Sequence, residues 1–164
     1  MKADGSGQKR LTTSWGYDGG PFFTHDSQRI VWRRFDEMGL IADVWTMKLD
    51  GTDQRQITDF GSMSWAPYEH PSGEYFLFAS NKLGFENFEV FMVDAKGEKE
   101  PVRVTYSAGF DGLPVPSPDG RQLAWTSSRA GGSEGQLYLA QWNHEKALEA
   151  LRNAPAKTPS KKKP

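Results

Sequence analysis

At 164 residues the chain is long enough for one domain with a core of its own. Its net charge of −1 gives no electrostatic footprint for nucleic acid, and the absence of cysteine excludes disulfides, thiolate nucleophiles and cysteine-ligated zinc. Aromatic residues make up 13% of the chain, and 17 Gly and 10 Pro are spread along it, which favours many turns between β-forming segments.

Residues 1–13 open the chain without the apolar stretch of a secretory leader, so the chain reads as cytoplasmic if it is complete. Its longest apolar run, Tyr75–Ala79, is far too short to span a bilayer. The first twelve residues, MKADGSGQKRLT, recur as MKLDGTDQRQIT at 47–58. The next segment, Pro21–Trp32, recurs as Pro67–Phe78 and again as Pro114–Trp125. Other columns keep the register: Ile30, Phe76 and Leu123; Trp45, Phe91 and Tyr138; Ile57 and Val104, each followed by Thr; and Met47 with Met92. A register held over columns of such different chemistry marks internal repetition of about 46 residues.

Each unit reads as four short strands. Strand A begins near the Pro and ends in a turn, Asp26-Ser27, Ser72-Gly73 or Asp119-Gly120, of the kind tight hairpins require. Strand B alternates, with Ile30 and Trp32, Phe76 and Phe78, or Leu123 and Trp125 on one face. Strand C carries Trp45, Phe91 or Tyr138, and a second turn leads to strand D, ending at Thr58 or Thr105. Four antiparallel strands per unit of this length define the blade of a β-propeller. The fold class is therefore all-β: a propeller segment of three four-stranded blades, an N-terminal strand and a short C-terminal helix. Residues 1–13 form the strand that completes an adjoining or last blade. Blade 1 spans 14–60, blade 2 spans 61–107, and blade 3 spans 108–143 without its outer strand. Residues 144–164 hold a helix, with Ala147, Leu148 and Leu151 on one face packing on the propeller edge, and a disordered basic tail. Lys157, Lys161, Lys162 and Lys163 of that tail leave residues 1–155 with a net −5.

No catalytic or metal-binding constellation and no cofactor motif is expected. His25 and His70 fall in successive A–B turns, expected to lie tens of ångströms apart, and no metal-ligand spacing connects them or His144. Gly61-Ser-Met-Ser64-Trp65 lacks the form of a nucleophile elbow, and the glycines of 130–135 lack the Lys-Ser/Thr of a phosphate loop. Arg33 and Arg34 stand where the other blades have Ala79-Ser80 and Thr126-Ser127. An ion pair with Asp36 or Glu37 is the expectation, and capture of an anion or of a partner's carboxylate is the alternative. Residues just before strand A converge at the channel mouth, so Asp18, Trp65 and Asp111 are the candidate binding residues. Trp65 interrupts a column otherwise held by Gly19 and Gly112, either as an exposed anchor or as filler of space its blade lacks.

The residues 111–129, DGLPVPSPDGRQLAWTSSR, resemble the TolB-like (WD40-like PD40) propeller repeat, and the first two units fit it with departures at Thr24–Ser27 and Arg33-Arg34. The resemblance implies a propeller, usually of six blades, that binds proteins in the periplasm with the Tol–Pal cell-envelope system. It equally allows the accessory, substrate-gating propeller of a larger hydrolase, such as an M28-type metallopeptidase or a prolyl-oligopeptidase-like peptidase. Three blades fall short of the four to eight of known propellers. Either upstream blades complete the ring, or a homodimer forms one of six blades, each N-terminal strand completing the partner's last blade. The expected partner is a protein of unknown identity, with no nucleic acid and no membrane span.

Overall fold

The computed structural model describes residues 1–131 and 134–158. Blade 1 is the sheet β1 (Asp18–Phe23), β2 (Arg29–Phe35), β3 (Ala42–Lys48) and β4 (Arg55–Gln56), antiparallel and in chain order. Blade 2 repeats it with β5 (Ser64–Glu69), β6 (Tyr75–Ser80), β7 (Glu89–Asp94) and β8 (Val102–Arg103). Among the described residues blade 3 has three strands, β9 (Asp111–Pro116), β10 (Gln122–Ser127) and β11 (Gln136–Gln141). A helix, α1 (His144–Asn153), follows β11, capped by the Asn143 side chain accepting from the Lys146 amide.

The turn chemistry repeats with the strands. The A–B turns place Ser27, Gly73 and Gly120 at φ of 58°, 74° and 70°, so Ser27 adopts a left-handed conformation that its counterparts meet with glycine. A bulge interrupts the A–B ladder in every blade, between Gly19 and Phe22, between Trp65 and Tyr68, and between Ala124 and Thr126. Gly20, Ala66 and Leu113, each directly before the strand A proline, carry its positive φ. The pairing also corrects one column: Met47 lies opposite Ile30 and Val93 opposite Phe76, so the counterpart of Met47 is Val93, while Met92 faces Leu77.

Alternating side chains fill the seams between blades. At the first seam Val31, Val44 and Ile57 of blade 1 meet Phe76, Phe78, Phe91 and Val93 of blade 2. At the second, Leu77, Val90 and Met92 meet Leu123 and Trp125, and α1 closes the rim with Ala147 and Leu151. A blade buries one face per neighbour, which is why both strand faces are apolar in blade 2, where all six residues of β6 are buried.

The two termini depart from expectation. Residues 1–17 belong to no strand; residues 9–12 run over the C–D turn of blade 1, where Lys9 Nζ donates to the Asp50 carbonyl at 2.8 Å. At the other end, Ala156 bridges to Lys99, and the Lys157 amide donates to the Glu98 carbonyl at 2.8 Å. The segment expected to be a loose tail is thus paired as far as residue 158; its remaining lysines lie outside the described residues.

Candidate functional site

Just before each strand A, the column of Asp18, Ser64 and Asp111 turns toward its own blade. Asp18 Oδ1 accepts from the Trp32 indole at 2.9 Å and from Arg34 Nε at 2.8 Å. Burial alone would raise the Asp18 carboxyl, but the Arg34 guanidinium and the indole N–H outweigh it and hold it below its ordinary value. Asp111 is fully buried, accepting from the Trp125 indole at 3.3 Å and from Arg129 Nη2 at 2.8 Å. Ser64 has neither an indole nor a guanidinium beside it, and its buried hydroxyl has no hydrogen-bond partner. Both carboxylates therefore lock a tryptophan and an arginine in place. Their tryptophans come from one repeat column and their arginines from two, which hides the pattern in the sequence.

Arg34 thus takes Asp18 as its acid, in place of the expected Asp36 or Glu37. The Asp36 carboxylate instead accepts the Leu40 and Ile41 amides of its own loop. Arg33 differs: among the described residues it has no acidic partner, and its Nε is buried without a hydrogen bond. Three aromatic faces hold its guanidinium, with its carbon 5.4 Å from the Trp65 ring, 5.7 Å from Tyr17 and 6.0 Å from Phe35. These four residues, with Met38 and Met63, line an open cleft of about 490 Å³ at the first seam, to which Asp36 and Glu37 also contribute.

The place of Trp65 follows from its neighbours. A Cβ at Gly19 would lie 2.2 Å from the Tyr17 hydroxyl, and one at Gly112 2.5 Å from the Phe110 ring. In blades 1 and 3 an aromatic two residues upstream therefore folds back over a glycine. Blade 2 has Met63 at the upstream position and supplies its aromatic from Trp65 itself. The exchange was readable as Tyr-x-Gly, Met-x-Trp and Phe-x-Gly, and its result is that Trp65 faces Arg33 across the seam. Of the three residues singled out from sequence, Trp65 lines this cleft, while Asp18 and Asp111 are consumed by internal bonds.

The histidines are placed differently from expectation. The His25 amide donates to the Glu69 carboxylate, and His70 Nε2 lies 3.2 Å from the Gly120 carbonyl, so successive A–B turns touch. His70 stacks on His144 at 4.7 Å and on Tyr75 at 4.6 Å, which joins the turn of blade 2 to the start of α1. No group of three His, Cys, Asp or Glu among the described residues is placed to hold a metal ion.

Two four-stranded blades, a third with three strands among the described residues, and inner strands β1, β5 and β9 neighbouring one another define a β-propeller segment. The chain belongs to the TolB beta propeller domain (PD40) family, whose family model matches residues 1–160. It is similar to TolB from Acinetobacter baumannii, with a TM-score of 0.72 and 26% identity over 87% of this chain and 34% of that one. Its fold also matches a putative TolB from Agrobacterium tumefaciens, with a TM-score of 0.67 and 21% identity over 80% of this chain and 47% of that one. An uncharacterized protein of Agrobacterium fabrum, Atu1656, is 30% identical over 82 residues, 49% of this chain and 27% of that protein. The chain therefore spans between about a quarter and half of the length of these relatives.

Proposed function

We propose that this chain is a binding module of the TolB-like kind, acting in protein–protein contact in the periplasm at the cell envelope and catalysing no reaction itself. It receives its partner at the Arg33 cleft, through an acidic side chain or a chain-terminal carboxylate. The observation that supports this reading is a guanidinium held by three aromatic rings, without an ion-pair partner among the described residues, at an open cleft. The rings surround the guanidinium with apolar surface, and its N–H groups are left for a planar, bidentate acceptor. Trp65 and Met63 give the same ligand an apolar surface beside the charge.

Calorimetric titration with short peptides ending in Asp or Glu, and with their amidated, neutral counterparts, tests the reading. Binding of the acidic peptides is expected to weaken about tenfold or more in Arg33→Ala, since one charge-assisted pair carries about 1.5–3 kcal/mol. Equal binding by Arg33→Ala, or preference for the neutral peptides, would contradict the site. Metal-dependent peptide hydrolysis by this chain would contradict the binding role.

A further inference from the structure

The Arg33 guanidinium stands where the repeat keeps small side chains. On β2 it shares with Val31 the face that packs on blade 2, and its counterparts in the next blades are Ala79, which is fully buried, and Thr126. Room for it comes from Gly20 in the bulge of β1, since a Cβ there would lie 2.6 Å from Arg33 Nη1. The backbone itself does not demand glycine at this point. Ala66 and Leu113 hold the same place in blades 2 and 3 at φ of 50° and 56°, against 60° for Gly20. Blade 1 is thus the blade with Gly19-Gly20, where one glycine makes way for the Tyr17 ring and the next for the guanidinium.

The surroundings of the guanidinium narrow its ligand. Tyr17, Phe35, Met38, Met63 and Trp65 make the lining chiefly apolar, and apart from Arg33 its charged side chains are Asp36 and Glu37. The cleft volume of about 490 Å³ lies within the ~300–1,000 Å³ of pockets that enclose small ligands, so it suits one or two residues better than a broad protein face. An acidic side chain within a continuing chain would carry two backbone arms past this lining, where their N–H and C=O groups find few partners. A second carboxylate on the ligand would approach Asp36 or Glu37. A chain terminus avoids both penalties, because it brings a single carboxylate and an apolar side chain from the same carbon atom.

We propose that the cleft holds the C-terminus of a partner polypeptide whose last residue is apolar. The terminal carboxylate pairs with the Arg33 guanidinium, and the last side chain lies among Trp65, Met63 and Met38. Gly20 is the positioning residue that keeps the guanidinium at the cleft. The assignment rests on the binding role of Arg33 and adds to it the class of ligand.

Three short peptides separate the outcomes: acetyl-Gly-Gly-Leu with a free carboxylate, its amide, and acetyl-Gly-Gly-Asp amide, which carries its carboxylate on a side chain. In calorimetric titration of the 164-residue chain the first is expected to bind about tenfold or more tighter than its amide, the share of one charge-assisted pair. It is also expected to bind tighter than the Asp amide, which leaves the apolar lining unfilled. Gly20→Ala is expected to keep its far-ultraviolet circular dichroism spectrum, since Ala66 holds the same conformation. It should bring the affinity for the free acid close to that for the amide and leave the amide's own affinity unchanged, whereas a general loss of structure would lower both. Equal or tighter binding of the Asp amide, lost in Arg33→Ala, would overturn the chain terminus as ligand and leave the Arg33 site standing. No binding of any of the three, or binding that Arg33→Ala leaves unchanged, would overturn both. An unchanged ratio of acid to amide affinity in Gly20→Ala would overturn the part given to Gly20.

Discussion

The charged residues of this chain solve one problem in several ways, and the exception is informative. Where strand C begins, Glu89 is fully buried and bonds Arg103 and Thr105 of its own strand D. Its counterpart in blade 1 is Asp43, which bonds Thr58 and, in place of an arginine, the Gln56 amide. Burial pushes the Asp43 carboxyl up to about 6; the Thr58 and Gln56 hydrogen bonds and Lys157 offset this only in part, and Asp59 adds to it. A carboxyl whose folded pKa lies above its unfolded value of 3.8 binds more protons folded than unfolded. Stability then falls as pH rises from 3.8 through about 6, and stays reduced above that. Gln56→Arg supplies the guanidinium that blade 2 already has. We expect it to lower the Asp43 pKa, followed by carboxyl NMR, and to raise the melting temperature more well above pH 6 than near pH 4. An Asp43 titration unmoved by the arginine would show that the blade 2 geometry does not transfer. The column itself was legible in the sequence. The shift was not, because it depends on how deeply one particular carboxylate is buried.

Among the elements, α1 shows both what periodicity reveals and what it leaves out. The spacing of Ala147, Leu148 and Leu151 identified its apolar face; Ala147 and Leu151 are buried in the cluster of the second seam, and Leu148 packs against it. The polar clasp at its start was not readable. His144 stacks on His70, its Nδ1 lies 3.2 Å from the Tyr75 hydroxyl, and the Trp142 indole donates to that hydroxyl at 2.7 Å. These four residues come from two elements, β6 and α1, and from two connections, with no shared spacing. The short backbone pairing of Ala156 with Lys99 was equally hidden, because a lone bridge leaves no periodic signal. Since the helix is held by one packed face, Leu151→Ala is expected to cost about 2–3 kcal/mol, read as a lower urea midpoint at unchanged slope. A loss below about 0.5 kcal/mol, the size of an ordinary surface change, would show that α1 does not stabilise the seam.

For the whole molecule, the repeat carried most of the information. Three A–B turns, three bulges and two finished seams follow from one register, and the family match over residues 1–160 agrees with it. The cleft was only partly legible. Arg33-Arg34 stood out as foreign to the repeat, but which of the two remains without an acid depends on the distance of each from Asp18. The contact of Arg33 with Trp65 arises because consecutive blades pack at a seam, a relation between residues that the sequence leaves far apart.

The Arg33 side chain reports most directly on the proposed cleft. Its Nε is buried without a hydrogen bond, and three aromatic rings lie around its guanidinium carbon. Arginine side-chain NMR during titration with acidic peptides is expected to shift the Arg33 Nε–H resonance, and their neutral, amidated counterparts are expected to leave it in place. An Arg33 resonance unmoved by saturating acidic peptide would contradict the account.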